Sequence, residues 1–280
     1  MASIYPTLRS IVLDTTDTRR TAEFYRRLLG WEYLPEDARD TAGLPEWLAL
    51  APPNGGPRLS FQLVPELPRS TWPKHDVPQQ LHPDFAVADR GELIAQHDRV
   101  SALGAPLLLD RTDHPDEPLY VSADPAGHPF CVVAVRDVPA GRPAPTLRSI
   151  VLDSTDPGGL AEFYRQLTGY DYAPHDTPPT SGEPDYPDWL NLLGPTGIRL
   201  AFQPVPELPR TTWPEPEVPQ QLHLDFQVPT TDHLRAQHRR ILELGATLLH
   251  DEFDDPVEPL YVYADPAGHP FCVFVLPPGR

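Results

Sequence analysis

The chain has 280 residues, 40 of them acidic and 22 basic, for a formal charge of −18. That balance excludes nucleic acid and an anionic membrane as partners, since both demand clustered Lys and Arg. Hydrophobic content of 40% supports packed cores despite 39 prolines, and no run is apolar for long enough to form a transmembrane helix.

The length fits two domains of about 140 residues, and the sequence repeats itself accordingly. Thr7–Asp14 (TLRSIVLD) recurs as Thr146–Asp153, Ala22–Arg26 (AEFYR) as Ala161–Arg165, Val64–Arg69 (VPELPR) as Val205–Arg210, and Ala123–Cys131 (ADPAGHPFC) as Ala264–Cys272. The offset grows from 139 (146 − 7) to 141 (272 − 131), which places a two-residue insertion in the loops at 35–46 and 173–188. Residues 137–145 are rich in Pro and Gly and read as a stiffened linker. The expected domains are therefore 1–136 and 146–280. Met1–Pro6 lacks a basic segment followed by an apolar one, so no signal peptide is expected and the location is cytoplasmic. Cys131 and Cys272 occupy matching positions of the repeat, so each belongs to its own domain as a reduced thiol.

In chain order, Leu8–Asp14 is a strand, and Asp17 caps a helix carrying Ala22, Phe24, Tyr25, Leu28 and Leu29 that stops at Gly30. Strands follow near 31–34, 47–51 and 58–64. A second round gives a strand at 80–87, a helix at about 90–103 ended by Gly104, and strands near 106–109, 119–123 and 129–135. The unit is strand–helix–three strands, used four times across the two copies.

The stretch Gln79–Val87 (QQLHPDFAV) returns as Gln220–Val228 (QQLHLDFQV). Strand alternation aims His82 and Asp84, and likewise His223 and Asp225, to one face, and Leu81 and Phe85 to the other. Two units side by side form a curved sheet whose concave face collects, in the first copy, Ser10, Arg58, Gln62, His82, Asp84 and Cys131. In the second copy it collects Ser149, Arg199, Gln203, His223, Asp225 and Cys272. Pro83 removes a ladder donor where the second copy has Leu224, which makes the second copy the better candidate for activity.

The order of elements, the Phe-Tyr helix ending in Leu-Leu-Gly, the Leu-His-x-Asp strand and the Asp-Pro-x-Gly turn resemble the vicinal oxygen chelate superfamily. That superfamily groups glyoxalases, bleomycin-resistance proteins and extradiol dioxygenases. The phrases Thr-Trp-Pro and Pro-Gln-Gln-Leu-His look like its glyoxalase-like bacterial branch. The resemblance implies an α+β fold of two tandem glyoxalase-like domains, each built from paired βαβββ modules in a curved, open mixed sheet with helices outside. In metal-dependent members four inward positions carry His, Gln or Glu. Here these fall on Ser10, Gln62, His82 and Cys131, and on Ser149, Gln203, His223 and Cys272. Only the histidines are strong ligands, so no cofactor is expected, with Zn, Fe, Mn or Ni as the alternatives if Asp84 or Asp225 joins.

Trp72 and Trp213, in Thr-Trp-Pro, either roof the cavity over a planar ligand or anchor a long loop. The apolar setting of Cys131 and Cys272 argues for small core residues rather than nucleophiles. His128 and His269 read as turn-capping or rim residues, Tyr25 and Tyr164 as core, and His97 and His238 as solvated surface. Two functions compete. One is binding and sequestration of a small organic, aromatic or heterocyclic ligand. The other is a lyase, isomerase or dioxygenase-like enzyme using His82 or His223 as general base or metal ligand. A tandem chain satisfies internally the pairing of single-copy members, so a monomer is expected.

Overall fold

The protein is described from a computed structural model over residues 5–37, 43–74, 76–174, 176, 189–215 and 217–276. The first copy runs β1 (Thr7–Thr15), α1 (Thr18–Leu29), β2 (Glu32–Tyr33), β3 (Trp47–Ala51), β4 (Arg58–Leu63), β5 (Leu81–Val87), α2 (Arg90–Ala102), β6 (Leu107–Arg111), β7 (Leu119–Ala123) and β8 (Pro129–Ala134). The second follows with β9 (Thr146–Ser154), α3 (Pro157–Thr168), β10 (Asp171–Tyr172), β11 (Leu190–Leu193), β12 (Arg199–Pro204), β13 (Leu222–Val228), α4 (Thr231–Glu243), β14 (Thr247–Glu252), β15 (Leu260–Ala264) and β16 (Pro270–Val275). The α+β class, the four βαβββ units and the open mixed sheets are as the sequence implies. The two-residue insertion is only partly visible, because 38–42 and 177–188 lie outside the described residues.

Local chemistry fixes the elements. The Asp17 carboxylate accepts the Arg20 N–H at the start of α1, and Asp156 accepts the Gly159 N–H at the start of α3. Gly30, at φ +67°, ends α1 in the left-handed conformation with its N–H on the Arg26 carbonyl. In the first copy the inner face of α1 buries Phe24 and Tyr25 against Phe61, Phe85 and Phe130, at ring separations of 5.7 to 6.3 Å. Phe163, Tyr164, Phe202, Phe226 and Phe271 repeat this cluster in the second copy. Each copy thus has one aromatic core shared by its two βαβββ modules.

The sheets are assembled differently from the sequence expectation. Their strand orders are β14-β15-β16-β13-β1-β4-β3-β2 and β10-β11-β12-β9-β5-β8-β7-β6. The neighbour of β5 is β9 of the second copy, not β1, and the neighbour of β13 is β1. Alternation identifies which face a residue takes but carries no information on which module lies alongside. By internal contacts the chain divides into two compact units, Met1–Val12 with Leu152–Arg280, and Leu13–Val151. The 137–145 segment is tied to α2: Arg99 Nη1 donates to the Pro143 carbonyl at 2.8 Å, and the Gly141 N–H to Glu92 at 2.6 Å.

Candidate functional site

In the Leu13–Val151 unit the site residues sit on the parallel pair β5/β8, where Asp84 lies directly across from Cys131. Phe85 turns to the helix side and packs on Tyr25 and Phe130, which leaves His82 and Asp84 on the opposite face. Both are more than nine-tenths buried. The Gln79 amide lies 2.6 Å from His82 Nδ1, and His82 Nε2 lies 3.5 Å from Asp84 Oδ1. Asp84 Oδ1 is buried and takes no hydrogen bond from any described residue.

Electrostatics neutralise this pair. Burial lowers the His82 imidazole to about 3. Burial raises Asp84 to about 7, opposed by the Arg148 charge and reinforced by Glu117. Burial also pushes the Cys131 thiol well up, with the Asp84 and Glu117 charges adding to it. The buried Cys131 thiol is thereby held in its protonated form. With Nδ1 accepting from the Gln79 amide, the neutral His82 ring carries its proton on Nε2, facing the carboxyl.

The other unit repeats the arrangement on β13/β16, where Asp225 lies across from Cys272. His223 Nε2 is again 3.5 Å from Asp225 Oδ1. Here the potential ligand atoms of His223, Asp225 and Cys272 all lie within 4.8 Å of one another. Two ligands held at about 2.1 Å with tetrahedral angles stand about 3.4 Å apart, so the His–Asp separation matches an edge of a zinc-type site. Imidazole, carboxylate and a half-buried thiol form a mixed set that suits Zn²⁺ better than Mg²⁺. The copies also differ at Pro83. The β13/β16 ladder begins at Leu224↔Phe271, whereas β5/β8 begins at Asp84↔Cys131, one pair later, because proline has no N–H to donate.

The strand order regroups the expected site residues. Ser10, on β1, lies on the strand beside His223, and Ser149, on β9, on the strand beside His82; each was expected with the histidine of its own copy. Arg58 and Gln62 are on β4, in the sheet that contains β13, and Arg199 and Gln203 on β12, in the sheet that contains β5. Gln62 faces Trp47 across β3/β4. Trp72 and Trp213 are half-buried, each followed by a cis proline, and the Trp213 ring meets His250 of β14 edge-on at 6.4 Å. For Trp213 this is the loop-anchoring alternative.

His128 and His269 take the turn-capping alternative rather than the rim: both are fully buried, with Nδ1 at 2.8 Å from Asp124 and Asp265 respectively. Asp124 also accepts the Ala126, Gly127 and His128 N–H groups and the Tyr25 hydroxyl. Burial would raise that carboxyl, but His128 and the backbone donors overcome it and hold it low. His97 and His238 are half-buried rather than solvated, because α2 and α4 lean them over tyrosines. His97 meets Tyr120 edge-on at 5.1 Å, and His238 stacks on Tyr261 at 4.2 Å and bonds the Tyr263 hydroxyl at 2.9 Å. Sequence reasoning gave no role to Gln79, Arg148 or Trp47. The repeated Gln-Gln three residues before each His-x-Asp was the available signal for the first.

A model of the Glyoxalase-like domain family matches residues 10–133 and 149–274. Glyoxalase I from Zea mays superposes with a TM-score of 0.62 at 14% identity, over 96% of this chain and 92% of that one. A putative dioxygenase from Bacillus subtilis subsp. subtilis str. 168 gives 0.61 at 14% identity, over 98% and 86%. These likenesses concern the fold. A search of curated protein sequences returns no match. No helix among the described residues is long and apolar enough to cross a membrane.

Proposed function

We propose, on the premise that the chain belongs to the Glyoxalase-like domain family in both of its copies, that it binds a small aromatic or heterocyclic molecule against its His–Asp faces and sequesters it. One observation carries the reading: Asp84 Oδ1 is buried without a donor beside a neutral imidazole that presents Nε2–H. A buried acceptor left in this way costs about 1–3 kcal/mol, which a ligand donor recovers. A ligand pairing a donor with an acceptor would satisfy Asp84 and His82 together. Calorimetry against a metabolite and antibiotic panel tests it. Asp84→Asn and Asp225→Asn should together weaken the selected ligand at least about tenfold, and unchanged affinity in the double variant rejects the reading. The sequence expectations of a monomer in the cytoplasm accompany this function and are checked by light scattering and cell fractionation.

The enzyme reading is favoured by a separate observation, the convergence of His223, Asp225 and Cys272. These side chains would hold a divalent ion, which supplies Lewis acidity to a substrate oxygen when bound. Asp225 would supply a carboxylate oxygen beside the imidazole, and the half-exposed Cys272 would have to give up its proton on loading. Elemental analysis of protein purified without an affinity tag should find Zn, Fe, Mn or Ni, lost in His223→Ala. Metal-free protein that also fails to retain Zn²⁺ after dialysis removes this reading.

A further inference from the structure

A cleft of about 730 Å³ opens over the start of β3 and the end of β4, lined by Thr16, Glu46, Trp47, Gln62 and the Leu63–Pro65 segment. None of these residues belongs to the His–Asp–Cys groups, and Gln62 alone is among the positions expected on the concave face. The volume lies in the range of small-molecule sites. Its walls are held in place: the Leu63 N–H donates to the Glu46 carbonyl at 2.8 Å, Trp47 faces Gln62 in the ladder, and the Thr18 hydroxyl donates to the Pro45 carbonyl at 2.9 Å.

The lining has a definite chemical sign. Trp47 is 40% exposed, a large indole left to solvent. Glu46 is exposed beside it and has no ion-pair partner among the described residues. Among the described residues, no Lys, Arg or His lines the cleft. In the second copy, the Trp189 indole donates to Asn191 Oδ1 at 3.3 Å; the first copy has Ala49 there, which leaves Trp47 without that tether. An available indole, an adjacent carboxylate and an amide form a receptor for positive charge spread over a ring.

We propose that this cleft binds a planar organic cation of the heteroaromatic or quaternary ammonium class, with Trp47 as the aromatic wall, Glu46 as counter-charge and the Gln62 amide orienting the ring. The full chain, titrated with N-methylquinolinium and followed by indole N–H resonances, is expected to move the Trp47 signal ahead of the other four tryptophans. Quinoline at pH 8, which is neutral, should bind about three- to fivefold more weakly. Glu46→Gln, an exposed substitution that spares folding, should close that gap, and Trp47→Leu should abolish the response. His82→Ala and Asp225→Asn should leave it unchanged, which separates this site from the His–Asp faces. Equal affinity for the cation and quinoline, or a response confined to other tryptophans, overturns the proposal.

Discussion

At the scale of single residues, the two buried acid–base groups of β5 pull stability in opposite directions with pH. The His82 imidazole is lowered to about 3 in the folded chain. Its contribution is complete above the unfolded value near 6.5 and is lost as pH falls toward 3. Asp84 is raised to about 7, so the folded state holds a proton that the unfolded state releases near 4, and stability falls as pH rises from about 4 to 7. The two slopes offset each other between about 4 and 6.5. In Asp84→Asn, urea unfolding should become steeper with pH in this window, rising by up to about 1.4 kcal/mol per pH unit. In His82→Gln it should fall with pH, and identical profiles for both variants would contradict the assigned directions. Tyr25→Phe removes one of the donors to Asp124 and should cost about 1 kcal/mol, read as a shift in the urea midpoint. The strand face of His82 and Asp84 was legible in the alternation of β5. Its neutrality was not, since it arises from burial, which prevails over the opposing charge of Arg148, a residue distant in sequence.

At the scale of elements, most boundaries were legible because caps and periodicity agree. Asp17, Gly30 and Asp89 stand where α1 and α2 begin or end, and β3, β5, β7 and β8 fall within a residue of their expected spans. The Asp-Pro-Ala-Gly-His turn was visible as a turn, but its function as a lock was not. The side chain of Asp124 closes the loop, Tyr25 ties it to α1, and Arg69 Nη2 reaches over it to the Pro125 carbonyl at 2.8 Å. Gly127 sits at φ +103°, and a Cβ there would meet Arg69 Cγ at 2.6 Å and Cβ at 2.9 Å. Gly127→Ala should therefore destabilise by about 1–3 kcal/mol. A thermal midpoint equal to wild type would show that the Arg69 loop yields freely.

At the scale of the whole molecule, duplication was plain in the sequence, yet the pairing of modules between copies was hidden. The motifs of β1 and β9 are nearly identical, so the chain itself does not say which lies beside β5. The strand order predicts the behaviour of one copy alone. Residues 1–136 would expose the edges of β1 and β5, which β13 and β9 cover in the full chain. That fragment should form a dimer by light scattering, and a stable monomer would show that its modules can pair internally. The same order bears on synthesis. β1 leaves the ribosome about 200 residues ahead of its neighbour β13. The opening strand therefore emerges as an unfinished sheet margin, and translation must run well into the second copy before either sheet can be completed.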